Sequence, residues 1–96
     1  MSSHPGKILN NFLNRYNIKI EELADNIEVN PIYLASIIEG ENWIDATLAY
    51  KLGIVFDTGM KFWLDLQTNH DIKITAENMK NWTPKSVYLD GLLRPF

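Results

Sequence analysis

The sequence predicts an all-α domain on three observations. Apolar residues recur at three-to-four-residue spacing from Ile8 to Leu66, the period of helices that bury one face. Helix-opening residues stand ahead of most of these runs, at Pro5, Asn30-Pro31, Asp45 and Thr58. No alternating strand pattern occurs before residue 71, and the chain has no internal repeat or low-complexity segment.

The first helix is expected over about residues 5–16. Pro5 suits its first turn, where a missing N–H costs nothing, and Ile8, Leu9, Phe12, Leu13 and Tyr16 form its apolar stripe. Asn17 is its stop. A short second helix follows over about residues 20–26, with Leu23, Ala24 and Ile27 inward. Glu28 and Val29 turn the chain, and Asn30 and Pro31 open a third helix as cap and first residue. Its inward stripe is Leu34, Ile37 and Ile38, and Gly40 ends it. Asp45 caps a fourth helix carrying Ala46, Ala49, Leu52 and Phe56. Thr58 caps a fifth, with Phe62, Trp63, Leu64 and Leu66 as apolar positions.

Two short helices joined by about three residues, with Ala24 small enough for close approach, give helix-turn-helix geometry. We divide the chain into a helix-turn-helix domain over residues 1–71 and a C-terminal extension over residues 72–96. In the extension, Thr75 and Thr83-Pro84 are each candidate helix starts, and "IKI" is a candidate strand fragment. Eleven of its 25 residues are apolar, so it is no solvated tail. Met79, Trp82, Val87, Tyr88, Leu89, Leu92, Leu93 and Phe96 need a surface to cover, on this domain, a second subunit or another protein.

The chain's 96 residues suffice for one core. There is no Cys, hence no disulfide framework or thiolate metal site. No apolar run is long enough to span a membrane, and "MSSHPGKIL" lacks the features of a signal peptide. A cytoplasmic protein without membrane association is the expectation.

Net charge is −3, but it is unevenly spread. Residues 20–50 contain no Lys or Arg and seven acids: Glu21, Glu22, Asp25, Glu28, Glu39, Glu41 and Asp45. The remainder holds nine basic and five acidic residues.

Three segments, "HPGKIL", "ELADNIEVNPIYLASIIEG" and "FDTGMKFWLDLQ", together resemble the HigA/VapI antitoxins, small helix-turn-helix proteins of the phage-repressor class. The family pattern, roughly HPGEIL, then ELA..LGVSRSRISEILNG, then FGTSPEFWLNLQ, fits without a gap from His4 to Gln67. The resemblance implies a five-helix repressor-like domain that dimerises, binds a toxin and represses its own operon. It also implies a small basic ribonuclease as that toxin.

The scaffold residues of the family are kept, including Leu23, Ala24, Val29, Leu34, Ile37, Ile38, Gly40, Phe62, Trp63, Leu64, Leu66 and Gln67. Those facing DNA are not. Where the family places Ser-Arg-Ser-Arg, this chain has Asn30-Pro31-Ile32-Tyr33; the polar opening of the second helix is Lys19-Ile20; the Lys-Arg after the glycine is Glu41-Asn42.

Binding duplex DNA depends heavily on Lys and Arg neutralising phosphates. The candidate DNA-binding residues are therefore a thin set: Lys19, Asn30, Pro31, Ile32, Tyr33, Ser36 and Asn42. Ile32 can touch a thymine methyl and Ser36 can bond a base edge, but neither is a bidentate reader. Dimer symmetry could bring Lys7, Arg15, Lys19 or Lys51 to phosphates. Two other readings stay open. The acidic segment could instead meet a toxin's basic surface, or it could simply solvate one side of the domain. Ile32 and Tyr33 could likewise pack on a partner subunit or on the extension.

Phe62, Trp63 and Leu66 are the candidate dimer-interface residues, since the family's last helix helps form its dimer and adjacent Phe and Trp diverge on a helix. His4 and His70 are lone histidines far apart in sequence, the second expected on the surface, and no metal site is predicted. Glu21 and Glu22 are adjacent and diverge, Ser36 has no evident base, and no phosphate-binding or nucleophile motif occurs. Neither an enzyme nor a cofactor is expected. The expected partners are a second copy of the chain, a toxin and operator DNA; the runner-up reading is a protein-interaction module that does not bind DNA.

Overall fold

A computed structural model describes residues 4–96; the first three residues of the helix-turn-helix domain, and of the stretch read for a signal peptide, lie outside it. Five helices follow in order: α1 (Pro5–Tyr16), α2 (Ile20–Asn26), α3 (Pro31–Ile38), α4 (Ala46–Val55) and α5 (Met60–Asn78). They are followed by two strands, β1 (Ser86–Leu89) and β2 (Leu92–Pro95).

Capping chemistry sets most helix ends. His4 Nδ1 accepts the Gly6 amide hydrogen at 2.9 Å, so the imidazole caps α1 ahead of Pro5. Asn17 stops α1 in the left-handed region at φ 54°. Asn30 Oδ1 accepts from the Ile32 amide at 2.8 Å and Asp45 Oδ1 from the Leu48 amide at 2.8 Å. At the end of α3, Gly40 adopts φ 82° and donates its N–H to the Ile37 carbonyl, while the Glu41 N–H reaches the Ser36 carbonyl. That pair of bonds is a Schellman cap.

The expected cap of α5 is displaced by one residue. Its N-cap is Gly59 at φ 84°, and the Thr58 hydroxyl donates to the Gly59 carbonyl instead of capping the helix. The Thr58 and Gly59 amides both donate to the Gly53 carbonyl, folding α5 tightly back on α4.

Thirteen buried apolar side chains form one core: Leu9, Leu13, Leu23, Ala24, Ile27, Leu34, Ile37, Ile44, Leu48, Ala49, Leu52, Phe56 and Trp63. Helix α1 packs on α3 and α5, α2 on α3, and α4 on α5. Gly6 lets α1 touch the end of α3, since a β-carbon there would overlap the Ile37 carbonyl. Two expected inward positions turn out exposed, Tyr16 and Ala46. Both sit at a helix end, and the Tyr16 ring covers the core from outside, stacked on Phe56 with centroids 5.8 Å apart.

The extension differs most from expectation. Helix α5 runs unbroken through Asp71 to Asn78, so "IKI" is helical and Thr75 opens nothing. Thr83-Pro84 leads into a strand, not a helix. The departure from an all-α fold is the antiparallel hairpin β1–β2, in register Ser86↔Pro95, Val87↔Arg94, Tyr88↔Leu93 and Leu89↔Leu92. Asp90 and Gly91 close it with φ 53° and 74°, the two positive values that a type I′ turn requires. The molecule is elongated, 55 × 23 × 22 Å.

Candidate nucleic-acid and partner interface

Helices α2 and α3 form the helix-turn-helix. The Val29 amide donates to the Ala24 carbonyl at 2.9 Å, and Glu28 takes the left-handed conformation at φ 58°. Glu28 occupies the position of the glycine in the family pattern, so the turn is made here with a side chain that disfavours it. Lys51 of α4 donates to the Glu28 carbonyl at 3.3 Å and braces the turn.

The outward side of α3 begins with Pro31 and Ile32, both exposed, Ile32 at 77%. Tyr33 and Ser36 are half-buried. The polar groups there already have partners within the protein. Asn30 Oδ1 is used in the cap, the Ser36 hydroxyl donates to the Tyr33 carbonyl at 2.6 Å, and the Tyr33 hydroxyl donates to the Trp43 carbonyl at 3.1 Å. Burial, and then the nearby Asp45 charge, raise the Tyr33 phenol above its ordinary value. Asn42 Oδ1 accepts the Trp43 amide hydrogen at 2.9 Å. Phosphates need donors, and the side-chain N–H groups left over on this face belong to the amides of Asn30 and Asn42. Lys19 is the exposed N-cap of α2.

Beside this helix lies a groove of about 390 Å³, lined by Glu21, Ala24, Asp25, Glu28, Val29 and Pro31. All seven acids of residues 20–50 are exposed. Past the end of α3, a hydrogen bond with Glu41, and then its charge, hold the Glu39 carboxyl above its usual range.

A second constellation was invisible in the sequence. His4 and His70 are not isolated: their rings meet edge to face, centroids 4.7 Å apart. They line a cavity of about 180 Å³ with Gly40, Glu41, Asn42, Trp43, Gln67 and Asp71. Buried Gln67 accepts the Ile44 amide hydrogen at 2.8 Å and donates to Asp71 Oδ1 at 2.8 Å. His70 Nδ1 is buried without a hydrogen-bond partner among the described residues. Desolvation, then the nearby charges of His70 and Lys7, lower the pKa of His4. No group of three or more metal-ligating side chains converges among the described residues.

On α5 the adjacent aromatics separate. Trp63 is 0% exposed and fills the core against Phe12 and Phe56, so it has no surface to give a partner. Phe62 keeps 38% exposure and Leu66 is half-buried. Trp43, 63% exposed, was not singled out from the sequence; it lies in a loop with no periodicity to mark it. The hairpin is bare on the protomer, with Tyr88, Leu89, Leu92, Leu93 and Phe96 all more than half exposed.

No protein-family model matches the chain, but known proteins do. Virulence-associated protein A' of Dichelobacter nodosus is 32% identical over 95 residues, covering 93% of this chain and 83% of that protein. An addiction module antidote protein of a HigA family from Coxiella burnetii superposes with a TM-score of 0.79 at 30% identity, covering 86% of this chain and 97% of that one. The Pseudomonas aeruginosa antitoxin HigA, solved with the higBA promoter, superposes with a TM-score of 0.80 at 30% identity, covering 83% and 88%. Likeness over nearly the full length of these proteins, joined to the three motifs in register, is decisive: this chain belongs to the HigA family of helix-turn-helix antitoxins.

Proposed function

We propose that the protein is the antitoxin of a toxin–antitoxin pair, that it neutralises a basic ribonuclease toxin by direct contact, and that it represses its own operon as a DNA-binding homodimer. The observation that carries this reading is the likeness, over 83% of the chain, to a HigA solved with the higBA promoter. The same α2–turn–α3 unit is present here, capped at Asn30 and Gly40, with its apolar stripe in the core.

The homodimer draws support from the extension. A two-stranded hairpin alone is marginal in water and gains stability when a third strand or another surface covers it. The exposed Tyr88, Leu89, Leu92, Leu93 and Phe96, together with Phe62 and Leu66 on α5, offer that surface to a second copy. Operator contact rests on the Asn30 and Asn42 amides, on exposed Pro31 and Ile32, on peripheral Lys7, Arg15, Lys19 and Lys51, and on Ser36 and Tyr33 once their hydroxyls leave their internal partners. With so few cations the electrostatic contribution is small, so the affinity is low and its salt dependence shallow.

One observation favours a second reading, a protein-interaction module that does not bind DNA: residues 20–50 hold seven acids and no base. A gel-shift with the DNA upstream of the gene, at about 50 mM salt where attraction is strongest, separates the two. A specific complex is expected. Its absence from a protein that still binds its toxin removes the repressor role and leaves the interaction module.

A further inference from the structure

We infer that the groove between α2 and the start of α3 is the docking surface for a basic segment of the partner protein; this rests on the antitoxin reading and names where the toxin sits. The groove combines two kinds of lining. Ala24, Val29 and Pro31 are apolar, while Glu21, Asp25 and Glu28 bring carboxylates. Long Lys and Arg side chains divide in the same way, with an alkyl stem that covers apolar surface and a cationic head. Glu21 and Asp25 are four apart on α2 and so share a helix face. Ile32, on the first turn of α3 next to Pro31, is exposed outside this lining.

Charge decides the occupant. Among the described residues, none of the seven acids in residues 20–50 forms an ion pair; the pair that does form is Lys61 with Asp65, on α5. Lys51, on α4 beside the turn, directs its ammonium to the Glu28 carbonyl. Lys51 is thus the neighbouring cation, and the three groove carboxylates, Glu21, Asp25 and Glu28, outnumber it with no ion pair of their own among the described residues. Their net negative field repels phosphate and attracts a cationic protein segment. Docking there covers the start of α3, so the partner and DNA exclude one another at this face.

The test uses the full-length protein and, as probe, the purified product of the adjoining reading frame. The double variant Glu21→Gln/Asp25→Asn alters exposed side chains, and a circular dichroism melt checks that the fold persists. Affinity for the probe is expected to fall at least tenfold, with a shallower salt dependence than wild type, and to fall further in Glu21→Lys/Asp25→Lys. Binding of upstream DNA is expected to tighten in both. A probe that binds wild type and the double variant equally overturns the docking inference and leaves the antitoxin reading standing. A probe that does not bind wild type overturns the antitoxin reading, and the inference with it. Weaker DNA binding by the neutralised variant assigns the groove to DNA and also overturns the inference.

Discussion

His4 and His70, from opposite ends of the helical domain, meet edge to face with ring centroids 4.7 Å apart. The contact ties the start of α1 to α5 beside Gly40, where a β-carbon would lie 3.1 Å from His4 Nε2. His4 must be neutral at Nδ1 to accept the Gly6 amide hydrogen. A proton there removes the cap and sets a positive charge at the positive end of a helix.

This predicts acid sensitivity. Lys7 on α1 and His70 on α5 oppose the His4 cation, while Glu41 and Asp71 across the cavity favour it, and burial with the two cations prevails. The folded pKa therefore lies below the unfolded value of about 6.5. The contribution to stability is fully present above that value and is lost as pH falls from it through the folded pKa. The melting temperature of wild type should drop on acidification across this window. His4→Asn, which keeps a capping oxygen and does not titrate, should drop less; equal slopes for the two proteins would contradict the account.

Gln67 is the buried polar hub between α5 and the loop before α4. Replacing it with Leu leaves the buried Ile44 amide without an acceptor, at a cost of about 1–3 kcal/mol. At roughly 4–8 °C per kcal/mol for a domain of this size, calorimetry should resolve the loss. An unchanged melting temperature would show that the Ile44 amide finds another partner.

The turn offers a gain. Glu28 is held at φ 58°, where an L-residue pays about 1–2 kcal/mol. Glu28→Gly removes that strain and adds chain entropy in the unfolded state worth about 0.5–1 kcal/mol. Chemical denaturation should show a net stabilisation of up to about 1.5 kcal/mol, on those two figures. A destabilised variant would mean that the Glu28 side chain contributes contacts that outweigh the strain.

The neighbouring aromatics of α5 should respond differently to removal. Trp63→Ala empties the core and should cost about 3–5 kcal/mol. Phe62→Ala should cost less in stability but weaken self-association in sedimentation velocity. If Phe62→Ala leaves association unchanged, Phe62 is no part of a dimer interface.

These residues also mark what the sequence makes legible. Helix starts at Pro5, Asn30 and Asp45 are local chemistry, so they read directly. The end of α5 does not: Ile72, Ile74 and Thr75 favour strand or cap by propensity, and continuity with a packed helix overrides them. The hairpin was legible and missed, since Asp90-Gly91 between apolar residues is a strong type I′ signal. Which of Phe62 and Trp63 faces the core was not, because both fit the helical period and only the position of Phe12 and Phe56 decides. For the site, the acidic run is plain in the sequence, whereas the meeting of His4 with His70 depends on tertiary packing that no local pattern encodes.

The most direct measurement of the central claim is co-expression of the protein with the product of its adjoining reading frame, followed by purification and a ribonuclease assay. A stable complex with the basic partner, inactive as a nuclease until the antitoxin is stripped away, is the predicted result. Two proteins that purify apart, or a complex that cleaves RNA as fast as the free partner, would contradict it.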